Sequence, residues 1–157
     1  MTGSELEKIV QFQATPGQRL PCRLLLDTSG SMSGDRIREV NDGIKLVHAT
    51  LSDPDFDSVA RDTVELAIMT FDSQITLIQD FALAKDIADL PTLTAQNQTF
   101  LGQALIEALD CTEQRKQFYR QVGSPHFRPL IFLLSDGMPE GEPPGGSGPT
   151  RHGGASH

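Results

Sequence analysis

The stretch Leu24-Leu25-Leu26-Asp27-Thr28-Ser29-Gly30-Ser31-Met32-Ser33-Gly34 constrains this chain more than any other. Its apolar residues run on without alternation, so Arg23 to Leu26 reads as a strand buried on both faces, the habit of parallel sheets covered by helices. The run stops at an acid, and two hydroxyls follow at alternate positions. Glycines let the backbone turn there without steric cost. One carboxylate and two serines gathered at a strand end suit a hard cation such as Mg²⁺, which takes octahedral oxygen ligands and keeps several waters. Asp, Ser and Gly also dominate ordinary turns, so this stretch alone leaves a plain turn equally open.

The rest of the chain alternates helices and strands. Asp35 to Leu51 reads as a helix with Ile37, Val40, Ile44, Val47 and Leu51 on one stripe, Ser33 as its cap and Gly43 weakening its interior. His48, beside that stripe, reads as a half-buried histidine with a backbone partner. Asp53-Pro54-Asp55-Phe56-Asp57 lacks the glycine and glutamate of a calcium loop, since Ser58 and Val64 stand in those places, and reads as a solvated acidic turn. Thr63 to Phe71 is a strand apolar on both faces, and Ile75 to Ile78 reads as a short antiparallel partner at the sheet edge. Ala82 to Gln98 is mixed and partly helical, with Pro91 limiting any helix. Phe100 to Val122 reads as a helix with Leu101, Leu105, Ala108, Leu109 and Thr112 in register, extended by Phe118, Tyr119 and Val122. Gly123-Ser124-Pro125 ends it. His126 is expected to be exposed, and Leu130 to Leu134 to be a strand buried on both sides. Together these predict a doubly wound, mostly parallel α/β sheet with one short antiparallel edge strand.

Two distant segments share the chemistry of the first. Gln98-Thr99-Phe100-Leu101-Gly102 places a threonine just ahead of a helix, where a plain N-cap would also stand. Leu130-Ile131-Phe132-Leu133-Leu134-Ser135-Asp136-Gly137 is a second apolar strand ending in an acid and a glycine. In this order the three resemble a von Willebrand factor type A (vWA) domain with a metal-ion-dependent adhesion site, the pattern Asp-x-Ser-x-Ser, then Thr, then Asp. The matching residues are Asp27, Ser29, Ser31, Thr99 and Asp136. The wording from Leu24 to Met32 and from Arg128 to Gly137 is most similar to the bacterial TerY-like branch associated with tellurium resistance. The resemblance runs from Pro21 to Glu140.

That resemblance implies Mg²⁺ bound through Ser29, Ser31 and Thr99, with Mn²⁺ or Ca²⁺ as alternatives. Asp27 and Asp136 act largely through bound water and hold the inner ligands. A Glu or Asp of a protein partner then completes the metal's shell. It further implies stress-response assemblies with kinase and phosphatase proteins, or a subunit coupled to a ring ATPase. A metal-independent scaffold is the alternative within the same fold. An enzyme using Asp27 as a phosphoryl acceptor would want a second acid two residues on, where Ser29 stands. No Gly-x-Ser-x-Gly elbow surrounds Ser31 either.

The net charge of −8 argues against nucleic acid and anionic membranes as partners. Cys22 and Cys111 are too few for a thiolate metal site and read as two reduced, partly buried thiols, with a disulfide between them as the alternative. No basic segment followed by an apolar core opens the chain and no apolar run is long enough to span a membrane, so a cytoplasmic protein is expected. Residues 1–20 read as a polar leader in which Ile9, Val10 and Phe12 add at most a short strand or helix turn. Residues 21–140 form the vWA domain, and the Gly/Pro-rich tail 141–157 is expected to be disordered. The strand–helix units that complete such a sheet are missing after residue 140, which implies a truncated chain or an edge covered by a partner.

Overall fold

The computed structural model describes residues 3–13, 17–96 and 101–136. Helix α1 spans Gly3–Gln13, β1 Leu20–Asp27, α2 Asp35–Ser52, α3 Ser58–Thr63, β2 Val64–Phe71, β3 Ile75–Leu83, α4 Leu101–Val122 and β4 Leu130–Leu134. The expected tail lies outside the described residues. The four strands form one sheet in the order β3-β2-β1-β4. β1 pairs in parallel with both β2 and β4, with Leu24 opposite Ile68 on one side and Phe132 on the other. β3 is antiparallel to β2. The expected α/β sheet, mostly parallel with an antiparallel edge, is therefore the observed one. Among the described residues no helix is long and apolar enough to cross a membrane.

Each face of the sheet carries its own core. Leu26, Leu66 and Ile68 meet Ile37 and Ile44 of α2, together with Ile87 and Leu93 from the segment after β3. Leu25, Met69 and Phe71 meet Ala104 and Ala108 of α4 on the other face. The run Leu25-Leu26 feeds both cores because successive strand residues point to opposite faces.

At the N-terminal ends of the strands a polar cluster is buried instead. Glu65, only 1% exposed, forms an ion pair with Arg115 and accepts a hydrogen bond from the Tyr119 hydroxyl at 2.6 Å. Burial, and then the charge of Glu65, hold that hydroxyl protonated far above the ordinary phenol range. Phe12 of α1 packs edge-on to Phe118, with ring centroids 5.4 Å apart.

Several elements differ from expectation. Residues 3–13 form a helix of three turns, where at most a short strand or helix turn was expected. α3 was not foreseen; Asp57 caps it by accepting hydrogen bonds from the Val59 and Ala60 amides, and the acidic turn before it is exposed as expected. β3 is nine residues long rather than a short strand, and its register shifts between Leu66 and Met69 of β2 show the irregularity typical of an edge. Ser33 does not cap α2. Its hydroxyl donates to the Gly30 carbonyl, and Gly34 occupies the cap position with φ +82°, a region that suits glycine.

α4 buries only part of the expected stripe: Ala108, Thr112 and Tyr119 point inward together with Ala104, while Leu105 and Leu109 are 39% and 54% exposed. The two alanines let the helix axis approach the sheet closely, which turns the larger leucines outward. β4 is not buried on both sides. Leu130, Phe132, Leu133 and Leu134 are 42–50% exposed, because β4 is an edge strand with no described element beyond it. His126 stacks on Tyr119 at 4.8 Å and is half-buried rather than exposed. His48 does lie half-buried with its Nε2 at the Ala84 and Ile87 carbonyls, and both cysteines are free and partly buried.

Candidate metal centre

β1 lies between β2 and β4, and the chain leaves β1 toward β2, on the side away from β4. The crevice outside the carboxyl ends of β1 and β4 is thus the point where strand order reverses, the usual ligand position in an open α/β sheet. The Asp27 loop and the Ser135-Asp136 pair both emerge there.

Asp27 is fully buried. Its Oδ1 accepts the Ser29 amide at 2.8 Å, and its Oδ2 accepts the Ser135 hydroxyl at 2.7 Å. One carboxylate therefore ties its own loop to the end of β4. A short 3₁₀ turn, Gly30–Met32, follows, with the Met32 amide donating to the Ser29 carbonyl at 2.9 Å. The Met32 side chain is buried and pins the turn. Thr28 is held from β2, its amide 2.9 Å from the Phe71 carbonyl. The Ser29 and Ser31 hydroxyl oxygens then stand 3.0 Å apart.

Asp136 meets the same loop through Arg36 of α2. One guanidinium nitrogen, Nη1, lies 3.0 Å from Asp136 Oδ2 and 3.4 Å from the Ser31 carbonyl. Thr99 lies outside the described residues. The segment that leads toward it is anchored at the site, since the Gln96 amide donates to the Thr28 carbonyl at 2.8 Å. Asn41 of α2 holds the same segment, its side-chain amide donating to the Leu93 carbonyl at 2.9 Å and accepting the Leu93 amide at 2.8 Å. Four of the five residues expected from the sequence therefore gather at one crevice.

Sequence reasoning missed Ser135 and Arg36. Ser135 carried a faint signal, as a hydroxyl between an apolar strand and an acid. Arg36 carried another: a cation in the first turn of a helix opposes the helix dipole, so it wants a compensating acid.

The donors are hard oxygens. Among the described residues no group of three or more His, Cys, Asp or Glu side chains could hold a metal, so a cation here would rely on hydroxyls and two carboxylates. The 3.0 Å separation is a hydrogen bond between the two hydroxyls, and such a spacing suits neighbouring oxygen ligands of Mg²⁺ or Ca²⁺ alike. An open groove of about 510 Å³ adjoins the crevice, with Leu24, Met32, Ile44 and Leu134 along it and Arg36 and Asp136 at its margin.

No curated protein matches the chain. Among solved structures, the ArnB paralog VWA2 from Sulfolobus acidocaldarius is similar at 20% identity with a TM-score of 0.49, over 80% of this chain and 29% of that one. The chain thus spans under a third of that protein's length. A family model described as the von Willebrand factor type A domain matches residues 23–138. That match takes in β2, β3, β4, most of β1 and the residues of the crevice, and the chain belongs to the von Willebrand factor type A domain family.

Proposed function

We propose that this vWA domain is a divalent-cation-dependent protein-binding module, in which Ser29 and Ser31, with Thr99, hold Mg²⁺ and Asp27 and Asp136 support them. The single observation that carries this reading is the 3.0 Å separation of the two serine hydroxyls above a buried carboxylate. When bound, the ion supplies an electrophilic position that a Glu or Asp of a partner can fill. The chain's own residues do the rest. Asp27 fixes Ser29 through its amide and draws in the end of β4 through Ser135. The buried Met32 side chain pins the turn, and Gln96, three residues before Thr99 in the chain, is tied to the Thr28 carbonyl. Mn²⁺ and Ca²⁺ are the alternative ions.

Catalysis finds little support. Asp27 is enclosed, and each of its oxygens already accepts a hydrogen bond, so it is poorly placed to attack phosphorus in line. Family members are generally interaction modules without a covalent step. The sequence resemblance to the TerY-like branch supports a partner among tellurium or stress-response proteins, kinase and phosphatase components included, and a ring ATPase is the other partner class that vWA domains serve. A second reading, a metal-independent scaffold, draws on the open β4 edge, which could pair with another chain.

Thermal melts separate the two. At a Mg²⁺ concentration about ten times its Kd, the folded state gains about 1.4 kcal/mol, or roughly 3–6 °C in Tm for a domain of this size. The gain should vanish in Ser29→Ala and in Asp27→Ala, and capture of an acidic partner from lysate should require Mg²⁺ over EDTA. Identical melts of the wild type with Mg²⁺ and with EDTA, alongside capture that EDTA leaves intact, would establish the scaffold instead.

A further inference from the structure

Arg36 occupies the position between the two loops that a metal would bridge. Its Nη1 touches the Ser31 carbonyl of the first loop and Asp136 Oδ2 of the second. The two side chains differ sharply in exposure: Asp136 is 3% exposed and Arg36 is 58% exposed. The acid is thus sequestered, and the cation that neutralises it reaches in from solvent. The position is unfavourable for an arginine on local grounds, because the first turn of α2 presents the positive end of the helix dipole. The pairing with Asp136 offsets that cost.

We propose that Arg36 is a resident counter-ion of the crevice, holding Asp136 while no metal is bound and competing with the divalent ion for that carboxylate. This rests on the metal-binding reading above. Three physical steps lead to it. Removing a carboxylate from water is costly unless a positive group accompanies it, and Arg36 is that group here. A dication beside Asp136 performs the same neutralisation with twice the charge. Arg36 and the ion also repel each other at short range, with little water between them to screen the effect. The guanidinium can leave at small cost, since its stem is already more than half in solvent. Metal loading then exchanges one cation for another, and Arg36 lowers the affinity of the empty domain for Mg²⁺.

The test is a calorimetric titration of the full chain with MgCl₂ at fixed ionic strength. The proteins compared are the wild type, Arg36→Ala, Arg36→Gln and Ser29→Ala. Exposed or half-exposed ion pairs are worth ~0.2–1 kcal/mol, and relief of repulsion adds to that, so Arg36→Ala and Arg36→Gln should bind Mg²⁺ about three- to tenfold more tightly. A second readout is independent of affinity. In the wild type the side-chain ¹⁵N resonance of Arg36 should move on adding Mg²⁺, as the guanidinium passes into water, and it should stay still in Ser29→Ala. Wild-type binding with equal or weaker affinity in both Arg36 variants would overturn the competition and leave the metal site standing. Absence of Mg²⁺ binding in the wild type and in both variants would overturn the metal site, and this inference with it.

Discussion

Asn41 faces the α2 side of the sheet, almost fully buried, and its amide satisfies both the amide and the carbonyl of Leu93. It holds the later part of the irregular segment that follows β3, as His48 holds the earlier part at Ala84 and Ile87. Truncating Asn41 strands two backbone groups away from water, each costing ~1–3 kcal/mol. Asn41→Ala should therefore destabilise the domain by about 2–4 kcal/mol, seen as a lowered urea midpoint with an unchanged slope. A loss below about 0.5 kcal/mol would mean that solvent reaches Leu93. At this scale the sequence was informative where chemistry is local. Ser29 and Ser31 lie within four residues of Asp27 and announce themselves by spacing. Arg36, Asn41 and Ser135 act on residues about fifty to a hundred positions away, and nothing in their own neighbourhoods names those partners.

Elements were legible as far as periodicity reaches. The apolar content of β1, β2, α2 and α4 marked their type and approximate limits. It placed Ala108, Thr112 and Tyr119 of α4 correctly but put Leu105 and Leu109 beside them, because alanines such as Ala104 weigh little on a hydrophobic scale yet decide how near the helix can come. Nor could it say that β4 is outermost, since an apolar strand looks alike in the middle of a sheet and at its margin. β4 carries no charge and no proline between Leu130 and Leu134, and its outer hydrogen-bonding side faces no described strand. Short, uncharged, apolar edge strands template pairing with other chains. Phe132, half exposed, is the natural place to interrupt this. Phe132→Lys should reduce concentration-dependent light scattering several-fold at 37 °C while leaving the β1–β4 register intact. Unchanged scattering would locate the sticky surface elsewhere, such as the exposed leucines of α4.

For the molecule as a whole, acid is the informative stress. Hydrogen bonding to Lys85 holds the Asp62 carboxyl below its ordinary 3.8. Burial pushes the Asp80 carboxyl upward, but the Phe81 amide and Lys8 outweigh it and bring that group below 3.8 as well. A folded-state value below the unfolded one means stability that is fully present above about pH 4. It is lost as the pH falls through the lower, folded-state values. Urea unfolding at pH 6 and at pH 3 should show the loss, and Lys8→Ala should shrink the Asp80 share of it. Because the Asp62 side chain is about half exposed, solvent screens the pair and its share stays under ~1 kcal/mol. A pH 3 midpoint equal to that at pH 6 would contradict the ion-pair assignment.

Placing β1 inside the sheet, with both of its neighbours drawn from later in the chain, has a consequence for assembly. β2 joins β1 after one helical crossover, but β4 arrives only once more than a hundred residues have followed the first strand. Closing so long a span carries an entropic penalty that near-neighbour pairings avoid. On the ribosome, Asp27 must wait for nearly the whole domain to emerge before Ser135 can reach it. Until then Asp27 and the two serines stand without Ser135 and Asp136, so synthesis itself dictates when the crevice becomes whole.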